Sequence, residues 1–178
     1  MKVKSVVALW VIVSLSSFLF AADSQTKAKA AVPRIKKLAA DPVVIAAVKA
    51  QNANKSSLDE IKKLDKAWTD GDNNLSDEVS ARPCSAKLQK LLKDQPDLIE
   101  AFAMDDQGAN VCMSDRTSDY WQGDEAKWQK SFNGGKGAVF FDERKFDSSA
   151  KAIIVQVSVP VLDQGKVIGA LTVGVKAE

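Results

Sequence analysis

The sequence contains no histidine among its 178 residues. Without imidazole, a Ser-His or Cys-His nucleophile, a histidine zinc ligand and an axial histidine for haem are all excluded. Catalysis would have to use carboxylates, lysines or a serine-lysine pair, and a carboxylate hydrolase would need two acidic groups with perturbed pKa values in one cleft. Because the acidic residues lie near predicted turns, where they are normally solvated, we expect a protein that is not an enzyme and that uses no cofactor.

Cysteine is almost as rare, since Cys84 and Cys112 are the only two. Their spacing fits neither a redox C-x-x-C motif nor a zinc site, so no metal site is predicted. In an oxidising compartment such a pair is most simply interpreted as one disulfide, worth roughly 3 to 4 kcal/mol on the chain-entropy model. Two buried free thiols are the alternative.

Net charge is also small, at +2 for the whole chain. Removal of an N-terminal leader carrying Lys2 and Lys4 would leave 23 basic residues against 23 acidic ones. A nearly neutral protein lacks the basic field that drives binding to phosphate backbones. We therefore expect no nucleic-acid partner.

The one long apolar run lies at the N-terminus. A basic start is followed by uncharged Ser5–Phe20 and then by Ala21 and Ala22, a pattern typical of a signal peptide over residues 1–21. An uncleaved membrane anchor is the alternative. With cleavage, the product is expected to be periplasmic or secreted, with a linker at residues 22–32 and a single domain at residues 33–178.

Helical patterns dominate the N-terminal third of this domain. Pro33 can open a helix, Asp41-Pro42 supplies an N-cap followed by a first-turn proline, and Ser57 begins a capping box. The apolar spacing predicts one long helix with a break near Asn52–Ser56. A polar stretch, Thr69–Arg82, is then predicted to be a loop, and a short helix is expected at Ser85–Lys93.

After Pro96 the apolar pattern alternates, which predicts strands. They are expected at Leu98–Met104, Ala109–Met113, Gly137–Phe141, Ala152–Val161 and Lys166–Val175. Short glycine-containing turns join them as hairpins, so neighbouring strands should be antiparallel. The fold class is therefore α+β, a long N-terminal helix packed on a central antiparallel sheet of about five strands.

An aromatic and acidic cluster lies in the segment "TSDYWQGDEAKW", Thr117–Trp128. A helix within Asp119–Ser131 would place Trp128 in the core. Tyr120 and Trp121 are compatible with a core corner or with the apolar wall of a small-molecule pocket. Asp119 is either a helix N-cap or a partner of Arg116 or of a charged ligand.

Four segments together resemble extracytoplasmic Cache sensor domains, also called PDC or PAS-like domains. They are "IEAFAMDDQGANVCMS", "DYWQGDEAKW", "FDERKFDSS" and the terminal hairpin "VSVPVLDQGKVIGALTVGV". The resemblance covers residues 33–177. It implies a PAS-like topology and a small ligand, typically an amino acid, carboxylate or amine, between the sheet and the loops above it.

The resemblance also implies site residues. Trp121 matches the family's tryptophan and Asp147 its amine-binding aspartate, whereas Asp119 occupies the place of the arginine that binds a ligand carboxylate and Gln122 lies near that of the tyrosine. Arg116 could reach the same space. With both aspartates facing inward the pocket would suit a cation or amine, and Tyr120 and Trp121 would provide cation-π contacts.

We therefore expect an exported ligand-binding sensor domain that passes ligand occupancy to a separate membrane receptor or kinase. The alternative is an interaction or scaffold module of the same fold with a filled pocket. Such a module would act through its long N-terminal helix, for example as a homodimer.

Overall fold

The computed structural model describes residues 24–147 and 151–177, so the predicted signal peptide lies outside the described residues. Helices α1 to α6 cover residues 24–39, Pro42–Ala53, Leu58–Thr69, Asn74–Ala81, Pro83–Asp94 and Ala126–Phe132. Strands β1 to β6 cover Leu98–Met104, Asn110–Met113, Phe140–Phe141, Lys145–Asp147, Ala152–Asp163 and Lys166–Lys176. Within the described ranges, no helix is both long enough and apolar enough to cross a bilayer.

The strands form one antiparallel sheet in the order β2-β1-β6-β5-β3, with β4 also paired to β5. The predicted α+β class is confirmed, with six strands where about five were expected. The additional one, β4, comes from the "FDERKFDSS" stretch. At the β5-β6 hairpin, Gln164 and Gly165 both have positive φ, as the tight turn requires.

The two faces of the sheet carry separate cores. Alternation along β1 points Ala101 and Ala103 to one face and Phe102 to the other. Helices α1, α2 and α5 cover the first face. The second face packs against Trp68 of α3, Val79 of α4 and other apolar residues, and this is the face that carries the site described below.

The N-terminal region differs from the prediction in two respects. Residues 24–32, expected to be a linker, belong to α1, because Ala28 and Ala31 are small enough to pack fully buried against the sheet. The predicted break near Asn52–Ser56 is present between α2 and α3, but the chain is also interrupted before Pro42, which separates α1 from α2. Asp41 caps α2 with a bond from the Val43 amide, and Ser57 begins α3 with the predicted capping box.

The stretch Thr69–Arg82 is not a loop throughout, since it contains α4. Although the stretch is polar in composition, two of its residues, Ser76 and Val79, are buried. The Val79 carbonyl accepts a 2.6 Å hydrogen bond from Ser85 Oγ. Helix α5 begins at Pro83, close to the predicted start at Ser85. The predicted disulfide between Cys84 and Cys112 is present and joins α5 to β2, with the Cα atoms 5.6 Å apart.

Candidate functional site

A polar cavity of about 590 Å³ lies between the second face of the sheet and the elements above it. Its floor comes from β1, β4 and β5, which contribute Glu100, Phe102, Lys145, Asp147 and Gln156. Its walls come from the end of α3 and from the connecting segment, residues 114–125 between β2 and α6. Exposed Thr69, Gly71 and Ser118 line its outer part.

Hydrogen bonds fix the polar floor. Gln156 Nε2 donates to Glu100 Oε1 at 2.7 Å, and Lys145 Nζ donates to Gln156 Oε1 at 3.0 Å. Beside them Lys127, only 7% exposed, pairs with Glu125 at 2.9 Å and lies over the Phe102 ring. The floor is therefore a linked row of alternating donors and acceptors.

Glu100 is a half-buried acid of this floor. Burial raises its pKa above the usual range and nearby Asp147 raises it further, whereas the hydrogen bond from Gln156 and the charges of Lys127 and Lys145 oppose the rise. Gly174 on β6 provides the space, because a Cβ there would lie 2.6 Å from Glu100 Cγ.

Arg116 fastens the α3-α4 connection over the cavity. Its Nη2 donates to the Trp68 carbonyl at 2.6 Å and to the Asp72 carbonyl at 3.3 Å, and Nη1 contacts Asn73 Oδ1 and Ser76 Oγ. The guanidinium also lies 4.9 Å from the centre of the Trp68 ring. Arg116 therefore lines the cavity while holding the connection in place.

Asp65 attaches α3 to the connecting segment. Its Oδ1 accepts the amides of Tyr120 and Trp121 at 2.8 and 2.9 Å. Trp68 Nε1 donates to the Thr117 carbonyl at 2.8 Å, and its ring packs 5.6 Å from that of Tyr120. Together with Arg116, these contacts make α3 a lid whose end closes one side of the cavity.

The structure brings only some of the predicted site residues together. Arg116 and Asp147 line the cavity. Tyr120 is 5% exposed behind Trp68, and burial raises its pKa to about 12. The Trp121 ring lies under Lys62 Nζ at 4.9 Å and donates from Nε1 to the Gln107 carbonyl. The Asp119 carboxylate accepts a bond from Ser118 Oγ.

Gln122, which the resemblance places near the family's tyrosine, lines the cavity. Prediction from the sequence missed Glu100 and Gln156, which also line it, although both carried a signal. Glu100 and Gln156 are polar residues inside otherwise apolar strands, and both occupy inward positions. The glycine inside "TVGV" was a third signal, because glycine in a strand often marks a close approach.

A second cavity, of about 600 Å³, lies between α2 and the start of α5 and is lined mostly by apolar residues such as Val43, Ala47 and Val111. It lacks the converging charged groups of the first. Among the residues that the structure describes, no three potential His, Cys, Asp or Glu ligands are close enough together to hold a metal ion. Charged and amide side chains from the sheet and from the segment above it converge on the polar cavity, which makes it the candidate ligand site.

No protein-family model matches the chain, and a search of curated proteins found no match. Solved structures do resemble it. The ligand-binding domain of the Pseudomonas aeruginosa amino-acid chemoreceptor PctC, in complex with GABA, is 13% identical with a TM-score of 0.48, and the match covers 94% of this chain and 61% of that one.

The Campylobacter jejuni chemoreceptor Tlp3 ligand-binding domain, in complex with 4-methylisoleucine, is 13% identical with a TM-score of 0.43, over 84% of this chain and 60% of that one. The sensor domain of the Vibrio cholerae histidine kinase DctB is 12% identical with a TM-score of 0.38, over 85% and 57%. The chain thus spans about three fifths of these neighbours. They are ligand-binding or sensor domains of chemoreceptors and of a histidine kinase.

Proposed function

We propose that this chain is an exported small-molecule-binding sensor domain that passes ligand occupancy to a separate membrane signalling partner. The observation that carries the proposal is the polar cavity. Charged and amide side chains converge on a space large enough for a small metabolite, in a part of the domain that is otherwise packed. An amine, an amino acid or a carboxylate are the ligand classes considered.

The lid offers a route from ligand to partner. Trp68, near the C-terminal end of α3, lines the cavity, whereas Leu58 and Leu64 of the same helix are 41% and 40% exposed. A ligand under Trp68 would change the position or mobility of α3, and the exposed leucines would present that change to a membrane receptor or kinase. The location would be periplasmic or secreted, after cleavage of the leader.

Thermal unfolding with a panel of amines, amino acids and carboxylates tests the cavity. At a hundredfold excess over Kd, a ligand should raise Tm by roughly 5 to 10 °C. Ser118→Trp places a large ring at the outer part of the cavity and should abolish the shift. Ser56→Trp changes another exposed serine, which does not line the cavity, and should leave the shift intact. No shift across the panel, or full binding by Ser118→Trp, would refute the proposal.

The second candidate is the interaction module, which an exposed apolar helix surface favours. Val43 of α2 lines the apolar cavity and is 41% exposed, and Leu58 and Leu64 of α3 are 41% and 40% exposed. A homodimer through the N-terminal helices would cover such residues. Sedimentation equilibrium distinguishes the two, because the module requires self-association or a bound partner and the sensor requires a ligand.

A further inference from the structure

Gln122 carries a buried acceptor that receives no hydrogen bond from the residues that the structure describes. The side chain is 1% exposed, lines the polar cavity and donates from Nε2 to the Asp119 carbonyl at 2.8 Å. That bond fixes the orientation of the amide, since the opposite one would place two oxygens together. Within the described ranges Oε1 then has no hydrogen-bond partner. A buried acceptor without a donor destabilises the folded domain until a donor reaches it.

Asn110 Oδ1 also lacks a donor among the described residues, but Asn110 does not line the cavity. Among the described residues, Gln122 is therefore the one in the cavity lining whose buried acceptor lacks a donor.

The cations around the cavity already have partners within the protein. Arg116 donates to two backbone carbonyls and to two side chains of the α3-α4 connection. Lys127 pairs with Glu125, and Lys145 bonds Gln156 and lies 3.4 Å from Asp142. A ligand carboxylate would have to break one of these pairs, whereas a ligand donor would not.

Glu100 supplies negative charge to the same cavity. It accepts one hydrogen bond, from Gln156 at Oε1, and in the described part of the chain Oε2 accepts none. The aromatic rings of the cavity lining already contact cations of the protein, because Arg116 lies over Trp68 and Lys127 over Phe102. Hydrogen-bond acceptors, and not rings, are therefore the groups available to recognise a ligand.

We propose that the cavity selects an organic ammonium ion that needs no carboxylate, with an N–H donated to Gln122 Oε1 and its charge balanced by Glu100. This inference rests on the proposed sensor function and names the ligand class of the same site. It gives the charge to Glu100, which the family resemblance does not provide, and an acceptor role to Gln122, which the resemblance places only near the family's tyrosine.

Calorimetric titration with matched compounds tests this assignment. For carbon chains of two to six atoms, the primary amine, the ω-amino acid and the carboxylic acid are compared at one pH. At least one amine should bind tenfold or more tightly than the acid and the amino acid of the same length.

Gln122→Met removes the acceptor at similar volume and should weaken binding of that amine about tenfold or more, the loss of one bond to a charged donor. Glu100→Gln should weaken it as well. Gln89→Met makes the same chemical change at a residue that bonds the Ser114 carbonyl outside the cavity, and should bind like the wild type. Thermal unfolding checks that each variant is folded, and Glu100→Gln keeps the test decisive if Gln122→Met does not fold.

The outcomes separate the two proposals. Binding of carboxylates or amino acids without amines would overturn this inference and leave the sensor function standing. Amine binding that both cavity variants retain in full would also overturn it. No binding of any compound of the broader panel would remove the sensor function and the inference together.

Discussion

At the scale of single residues, the site depends on polar groups placed where the pattern of the chain calls for apolar ones. Glu100 and Gln156 lie in strands whose other inward residues are mostly apolar, and Gly174 leaves the room that the glutamate needs. Burying a carboxylate is unfavourable unless it is paired. The ionised Glu100 should therefore lower the stability of the domain while it places a negative charge in the cavity.

Glu100→Gln should raise the free energy of unfolding at pH 7.5 and have little effect at pH 4. Because burial raises the pKa of Glu100, the folded state holds this proton to a higher pH than the unfolded chain does. Stability is then lost as pH rises from about 4, where an unfolded glutamate ionises, through the folded pKa. Each tenfold difference between the two ionisation constants contributes about 1.4 kcal/mol. Urea unfolding at several pH values measures the difference.

Glu143→Gln is the matched control, since Glu143 is exposed on the surface. It should follow the wild-type pH profile. A Glu100→Gln profile that runs parallel to the wild type would show that ionisation of Glu100 is not penalised by the fold.

At the scale of elements, the sequence predicted the strands better than the helices. The alternating pattern located β1, β5 and β6 nearly to the residue, because their inward residues repeat every second position. The helix α4 was missed, since its stability comes from contacts of Ser76 and Val79 with distant residues. The helix considered within Asp119–Ser131 is present at Ala126–Phe132, whereas Trp121 pairs with Ala109 in a β-bridge.

The same reasoning explains which site residues could be found. Asp147 came from the match to the family's aspartate, and Arg116 from its position just before the aromatic residues. Gln122 was visible as a residue of the cluster, but its unpaired oxygen depends on the position of the Asp119 carbonyl, which no sequence pattern specifies.

Asp65→Ala should loosen the lid. The change leaves the amides of Tyr120 and Trp121 without their acceptor, a loss of about 1–3 kcal/mol for buried donors. Hydrogen exchange of the α3 amides should accelerate, while that of β5 and β6 changes little, because α3 lies outside the sheet. Asp65→Asn retains a side-chain oxygen and should recover part of the protection.

Asp70→Ala is the control on the same helix. It removes a surface pair with Lys66, which contributes about 0–1 kcal/mol, and should leave exchange in α3 nearly unchanged. Equal acceleration by Asp70→Ala and Asp65→Ala would mean that α3 is marginal as a whole and is not held by Asp65.

At the scale of the whole molecule, the disulfide joins the two parts of the fold. Cys84 begins α5 and Cys112 lies in β2, 28 residues apart in sequence, so the bond attaches the helical N-terminal half to an outer strand of the sheet. Both cysteines are fully buried in the first core. The disulfide therefore has two effects. It restricts the conformations of the unfolded chain, and its two sulfur atoms fill part of the first core in the folded state.

Replacing both cysteines, as Cys84→Ala with Cys112→Ala, should lower the free energy of unfolding by about 3 kcal/mol through loss of the cross-link, with a smaller loss from the two missing sulfur atoms. For a domain of this size Tm should fall by roughly 6 to 12 °C. Calorimetry of the oxidised protein, the reduced wild type and the double variant separates the two contributions. The reduced wild type keeps the sulfur atoms, so it should lie between the other two and close to the variant. A reduced protein as stable as the oxidised one would show that packing, and not the cross-link, holds α5 on the sheet.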